Sequence, residues 1–321
     1  MPCNCRSAVV AVLFFAGCAS FAPNRDPTPL NPTAVLETRM VNTGVQDFGA
    51  FDSTTISYTR ANMQRSESSF TTPSGISRSA EGEMQVRIER LDRKTAWTLD
   101  AKNKKAIECP LKGCISPGTR KAITKPPEQD KTGDSGCRMK IGNTSLTVDS
   151  TGAKRNINGF DTEQYDIKWR ATLRDNASRK STSLVSIDLW AAPVTPPLQD
   201  ALALERNYAR ARNKIAPTDV DQPVLPHELD TLINTYLSAS VSPADRASFL
   251  AGMGKLDAVK GQPILMLVKW NLSGAACSMD ESMKDLGDKP LFTFVSEVKS
   301  HKISPQHDSL FSPPRGYKVR K

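Results

Sequence analysis

The residues able to carry out chemistry are few and poorly grouped. His227, His301 and His307 are the three histidines of the chain. Each lies in a proline-flanked or polar segment, and none has the His-Glu-x-x-His spacing that sets two zinc ligands on one helix face. A Gly-x-Ser-x-Gly elbow, a glycine-rich phosphate loop and a Cys–His nucleophile context are all absent. Two carboxylate pairs, Asp161 with Glu163 and Asp166 with Asp188, have the residue types that general acid–base work needs. The second pair lies on the wet side of the hairpin, and for exposed pairs facing Lys168 and Arg170 cross-strand salt pairing is the simpler role. These patterns predict no catalytic residue, no metal and no cofactor. Among the seven cysteines, Cys109, Cys114, Cys137 and Cys277 fall in the body of the chain. Four thiols in an oxidising compartment allow two disulfides in three connectivities. The short Cys109-Pro-Leu-Lys-Gly-Cys114 segment would close a small loop and leave Cys137 for Cys277; the spacing beyond Cys114 does not fit paired zinc ligands.

The other three cysteines, Cys3, Cys5 and Cys18, flank an apolar run from Ala8 to Ala16 that follows Arg6. A basic start, a short apolar core and small residues describe a secretory signal, too short to span a bilayer as a mature helix. Phe15-Ala-Gly-Cys18 resembles the bacterial lipobox, in which two small residues precede a cysteine that becomes the acylated N-terminus. Residues 1–17 are then a cleaved signal peptide, Cys18 is the lipidation site, and 18–35 form a tether rich in proline (Pro23, Pro27, Pro29, Pro32) that stays extended and solvated. Acyl chains hold a soluble body to a membrane at about 0.8 kcal/mol per buried methylene. By the sorting rule for such lipoproteins, Ala19 rather than Asp after the cysteine implies the outer membrane, with the body facing the periplasm.

Composition is that of a globular protein, with 38% hydrophobic residues and a formal charge of +9 from 43 Lys and Arg against 34 Asp and Glu. A basic surface favours anionic partners. The cations are scattered rather than blocked, and no recognition helix, zinc finger or RNA-binding sheet accompanies them, so nucleic acid is not an expected partner.

The elements that must position these residues are mostly strands. From Gln164 to Arg174, Tyr165, Ile167, Trp169, Ala171 and Leu173 alternate with Asp166, Lys168, Arg170, Thr172 and Arg174, the period of a strand with one buried face. After the Asp175-Asn-Ala-Ser-Arg-Lys turn, Val185, Ile187 and Leu189 repeat the pattern and complete a hairpin. A second hairpin joins Met84, Val86 and Ile88 to Trp97 and Leu99. Phe48 to Ser79 is Ser/Thr-rich and reads as long wet strands or an edge hairpin bearing Ile56, Tyr58, Met63 and Phe70. Gly113 to Gly136 reads as a long loop, and Met139 to Val148 as a strand.

The period then changes to helical from Leu198 to Ala209, at Leu229, Leu232, Ile233, Tyr236 and Leu237, and after Ser242-Pro-Ala-Asp245. Strands return at Gly261 to Leu272, apolar on both faces and therefore central, and at Leu291 to Val298. The tail from His301 to Lys321 is expected to dock Phe311 and Tyr317 on a sheet edge and leave its last basic residues wet.

In order, the Gly159-x-x-x-x-x-Tyr165 strand, the strand ending in Trp190-x-Ala, the helical segment, the Gly261-x-Pro-Ile strand and the closing Phe311-Ser-Pro-Pro-Arg-Gly-Tyr317 resemble a group of bacterial envelope proteins related to the lipoprotein-localisation-factor superfamily. Thr162 departs from the pattern, since many relatives have a cysteine three residues before the Tyr. The resemblance implies a mainly β (α+β) fold: a curved antiparallel half-barrel over a single domain, 36–321, with a helical insert, 198–256, covering one face. It further implies a non-catalytic binding or carrier module for an apolar ligand, a lipid or a lipoprotein, with Tyr165, Ile167, Trp169, Leu189, Leu232, Tyr236 and Trp270 facing the ligand. The alternative is a structural lipoprotein that binds an envelope protein or anionic polymer through its basic surface.

Overall fold

The computed structural model describes residues 26–43, 50–72, 84–111, 139–216, 253–276 and 289–321. Its architecture is mainly β, one open, curved sheet of 12 strands with a single long helix among the described residues. Strands β1 (Leu30–Asn42), β2 (Phe51–Arg60), β3 (Met63–Thr71), β4 (Gln85–Arg90), β5 (Thr95–Asp100) and β6 (Lys105–Pro110) meander outward, each beside the one before it. Strand β7 (Met139–Ile157) starts the opposite edge, and β8 (Phe160–Asp175) and β9 (Lys180–Ala192) work back inward. Helix α1 (Pro196–Ile215) precedes β10 (Gln262–Gly274) and β11 (Phe292–His307), and β11 pairs antiparallel with β1 at the centre of the sheet. Strand β12 (Lys318–Arg320) adds to β6, the one parallel pairing among the described residues.

The turns follow from residue type. Between β7 and β8, Asn158 and Gly159 both have positive φ (52° and 87°). That is the two-residue Asn-Gly turn whose twist matches paired strands. Between β8 and β9, the buried Asp175 accepts hydrogen bonds from the Ala177 and Arg179 amides at 2.9 Å and from Arg179 Nε at 2.7 Å. Its side chain thus replaces a missing strand partner within the turn. Gly261 opens β10 at φ +101°, and a Cβ there would lie 2.1 Å from the Ala192 carbonyl oxygen, so only glycine fits.

The sheet carries two cores on opposite faces. On one, Tyr165, Ile167, Ile187, Leu189, Met266, Val268, Phe292 and Phe294 of β8 to β11 form a buried cluster on which Leu256, from a short 3-10 helix (Met253–Ala258), and Val259, just after it, pack. Trp270 meets Phe292 edge-to-face at 5.5 Å between ring centroids and donates to Ser183 Oγ. On the other face, Val86, Ile88, Trp97, Leu99 and Ala106 of β4 to β6 surround Phe311, which is completely buried. Arg60 stacks on the Phe311 ring and also binds Asp308, Thr33 and the Gln306 carbonyl. At about 2 kcal/mol per buried large apolar side chain, each cluster suffices to hold its covering segment. The tail therefore lies against a sheet face rather than an edge; only its last residues, in β12, reach the edge.

The ordered body begins earlier than residue 36. Asp26 and Thr28 bond to the 307–309 region, and β1 pairs with β11 from Leu30 onward. Pro32 stands opposite Pro305. Two prolines cannot exchange ladder hydrogen bonds, so this is a non-hydrogen-bonded pair in which the missing N–H groups are not needed. The proline content that reads as a tether is compatible with strand here for that reason. The segments containing Leu232, Tyr236 and the Ser242 cap lie outside the described residues, as do residues 1–25. Among the described residues no helix is long and apolar enough to cross a membrane.

Candidate functional site

Helix α1 is built to do two things. It starts where Pro196 and Pro197 occupy positions whose N–H groups need no helical partner. Leu198, Ala201 and Tyr208 form a buried stripe that docks it on the sheet. The latch is Glu89 of β4, a buried carboxylate that accepts hydrogen bonds from Tyr208 Oη at 2.5 Å, Arg212 Nε at 2.9 Å and Arg87 Nε at 2.8 Å. Burial raises the Glu89 carboxyl, but the bonds from Arg212, Tyr208 and Arg87 outweigh it and hold the group below its ordinary value. Burial and the Glu89 carboxylate together push the Tyr208 phenol well above its ordinary value. The three donors and one acceptor are mutually satisfied, the condition under which a buried charge is tolerated.

A second stripe of α1, Leu202, Glu205, Arg206, Ala209, Arg210 and Asn213, runs beside the docked one at i, i+3, i+4, i+7, i+8 and i+11. This stripe roofs a cleft of about 520 Å³ whose floor comes from β1, β10 and β11: Leu36, Thr38, Gln262, Pro263, Ile264, Leu265, Met266, Ser296, Val298 and His301. Such a volume and a mostly apolar lining with a few polar groups are typical of small-ligand sites, about 300–1,000 Å³. One end of the floor is backed by the β7–β8 turn, where Ile157 and Phe160 pack on Ala192, Ile264 and Val298. Asn158 fixes that turn by donating to the Val298 carbonyl and to Glu297 Oε1, both at 2.8 Å.

His301 is the polar centre of the cleft. Its residue is 8% exposed, and Nδ1 is buried with no hydrogen-bond partner. Nε2 lies 3.2 Å from Glu205 Oε1, within ion-pair reach but outside hydrogen-bond alignment. Buried nitrogen atoms without partners are uncommon and costly, about 1–3 kcal/mol each. Arg206 and Arg210, one turn apart at the mouth, make no ion pair among the described residues. Arg212, by contrast, is committed to Glu89.

The sequence-derived wall residues lie elsewhere. Tyr165, Ile167 and Leu189 are buried in the β8–β11 cluster, and Tyr165 Oη accepts from the Lys260 amide at 3.3 Å. Trp169 and Trp270 are half-buried against that cluster. None of these five lines the cleft; Met266, on the same face of β10, is the residue the core and the cleft share. Cys109 is disulfide-bonded, and every other cysteine of the chain lies outside the described residues. The paired carboxylates are engaged as structural partners: Lys168 Nζ donates to Asp166 at 2.6 Å, Gln164 to Asp188 at 2.8 Å, Asn156 to Asp161 at 2.9 Å and Ser150 to Glu163 at 2.6 Å. Among the described residues no group of three or more His, Cys, Asp or Glu side chains is arranged to hold a metal ion.

His301 escapes a period-two reading because of one residue. Thr38 pairs with Val298 and Glu37 with Ser300, which leaves Lys299 as a bulge. The extra residue shifts the phase of β11, returning His301 to the face of Phe294 and Val298. The i, i+4 pair of Arg206 and Arg210 is the signal in the sequence that could have marked the helix stripe. Comparison with protein-family models, with curated proteins and with solved structures finds no match to this chain.

Proposed function

We propose that this protein is a lipid-anchored envelope protein, tethered through Cys18, whose cleft between α1 and the sheet binds the apolar part of a small ligand without transforming it. The observation that carries the binding role is His301 Nδ1, a buried and unpartnered nitrogen in the wall of a cleft whose floor is mostly apolar. A site evolved only to pack would have an apolar side chain there, since replacing an unsatisfied polar group by an apolar one of similar shape removes its desolvation cost. The lipobox-like Phe15-Ala-Gly-Cys18 segment supports the anchor and the outer-membrane location. What supports a non-catalytic reading is that neither hydroxyl of the cleft, Thr38 or Ser296, is hydrogen-bonded to His301 or Glu205, the bases beside them.

Native mass spectrometry of the full chain carrying Cys18→Ala, purified from the envelope fraction and then offered decanoate, tests the reading. Retention of a copurifying apolar ligand, or saturable uptake of decanoate at one site, is expected. A protein that emerges bare and takes up nothing would overturn it.

A further inference from the structure

The cleft is asymmetric in charge and polarity. Its floor is apolar, formed by Leu36, Ile264, Met266 and Val298, whereas Arg206 and Arg210 sit on its roof at the mouth. Arginines without a carboxylate partner are ordinary here, Arg93, Arg170, Arg174 and Arg315 being others among the described residues, and what sets these two apart is their place on the roof of the cleft. Arg212, two residues on, is paired with Glu89. Arg206 and Arg210 hold none among the described residues, although they face the same cavity as a buried imidazole with a free nitrogen. Residues at i and i+4 lie on one side of a helix, and guanidiniums pair well with carboxylate and phosphate oxygens.

We infer that the ligand of this cleft is a single-chain amphiphile with an anionic head, a carboxylate or phosphate. This rests on the cleft being a binding site for an apolar group. The tail lies along the β1–β10–β11 floor and the head sits between Arg206 and Arg210, while His301 Nδ1 meets a second polar group along the ligand's chain, one that the plain decyl probes lack. Glu205 beside His301 adds a negative charge on the inner side of the two arginines, which orients the anion toward the mouth rather than into the cleft.

Isothermal titration of the full chain carrying Cys18→Ala against decanoate, decyl phosphate, decanol and decyltrimethylammonium separates head from tail. Because both arginines are exposed and partly screened by water, their contacts together correspond to roughly ten-fold in affinity. Decanoate and decyl phosphate are expected to bind about ten-fold tighter than decanol. The Arg206→Gln/Arg210→Gln double variant is expected to remove that margin and leave decanol binding unchanged, while inorganic phosphate alone binds too weakly to measure. Decanol binding as tightly as decanoate, or a margin that survives the double substitution, would overturn the anionic head and leave the apolar-ligand reading standing. Inorganic phosphate competing as well as decyl phosphate would overturn the tail. Failure of all four decyl compounds to bind would overturn both readings.

Discussion

Substituting Glu89 by Gln tests how the roof of the cleft is held. The carboxylate is 6% exposed and takes bonds from Tyr208, Arg212 and Arg87. Glutamine keeps the shape but turns one acceptor oxygen into a donor and removes the charge that two guanidiniums face. Breaking a fully buried ion pair on one side costs about 3–5 kcal/mol. Here the Arg212 and Arg87 side chains are 26% and 34% exposed, so water recovers part of that and about 2–3 kcal/mol is the appropriate figure. At about 2.1 cal/mol/K per residue, a chain of 321 residues loses about 1.5 °C of Tm per kcal/mol, giving a fall of roughly 3–5 °C.

The same group sets an acid limit. Its folded pKa lies below the ordinary value of 4.5, so its contribution is fully present above that value and is lost as pH falls through the folded pKa. Wild-type α1 should therefore loosen in acid, and the Gln variant should show no such transition of its own. Thermal unfolding combined with amide hydrogen exchange across Pro196–Ile215, between neutral pH and pH about 3, measures both effects. A Tm unchanged within error at neutral pH, with unaltered exchange in α1, would refute the latch.

Other substitutions probe the remaining parts. His301→Phe removes a buried unsatisfied nitrogen and should raise the stability of the ligand-free protein by about 1 kcal/mol in urea titration; a loss of stability would contradict the unpaired state of Nδ1. Gly261→Ala forces a Cβ to within 2.1 Å of the Ala192 carbonyl at φ +101°, and a destabilisation of roughly 3 kcal/mol or more is expected, read as a lower urea midpoint. Cys18→Ala should abolish metabolic incorporation of labelled palmitate and release the protein from the membrane fraction; labelling that persists in the variant would count against the lipid anchor.

The strands with strict alternation were legible because each has one covered face. β8 and β9 show it in Tyr165, Ile167, Ile187 and Leu189, and β4 and β5 in Val86, Ile88, Trp97 and Leu99. Period alone states which residues share a face, and it does not state on which side of the sheet that face lies. The two clusters occupy opposite faces with different covers, the 253–260 segment and the Phe311 tail, which the periods of their strands do not encode. Proline obscured β1 and the end of β11, since Pro32 and Pro305 signal extended chain but are placed opposite each other in the sheet. The Lys299 bulge hid His301, because a single extra residue inverts the face of everything after it. The cleft was the least legible feature: it depends on Glu89 catching Tyr208 and Arg212, more than a hundred residues distant in the chain, and no local pattern encodes that contact.

The site assignment is tested most directly by photolabelling the full chain with a decanoic acid that carries a diazirine near its tail end, followed by peptide mapping. The account predicts saturable labelling on β1, β10 and β11 at Leu36, Ile264, Met266 and Val298, competed by decanoate and reduced by Arg206→Gln/Arg210→Gln. Labelling confined to the Tyr165–Leu189 cluster or to the exposed face bearing Asp166 and Lys168, with those four residues untouched, would contradict it.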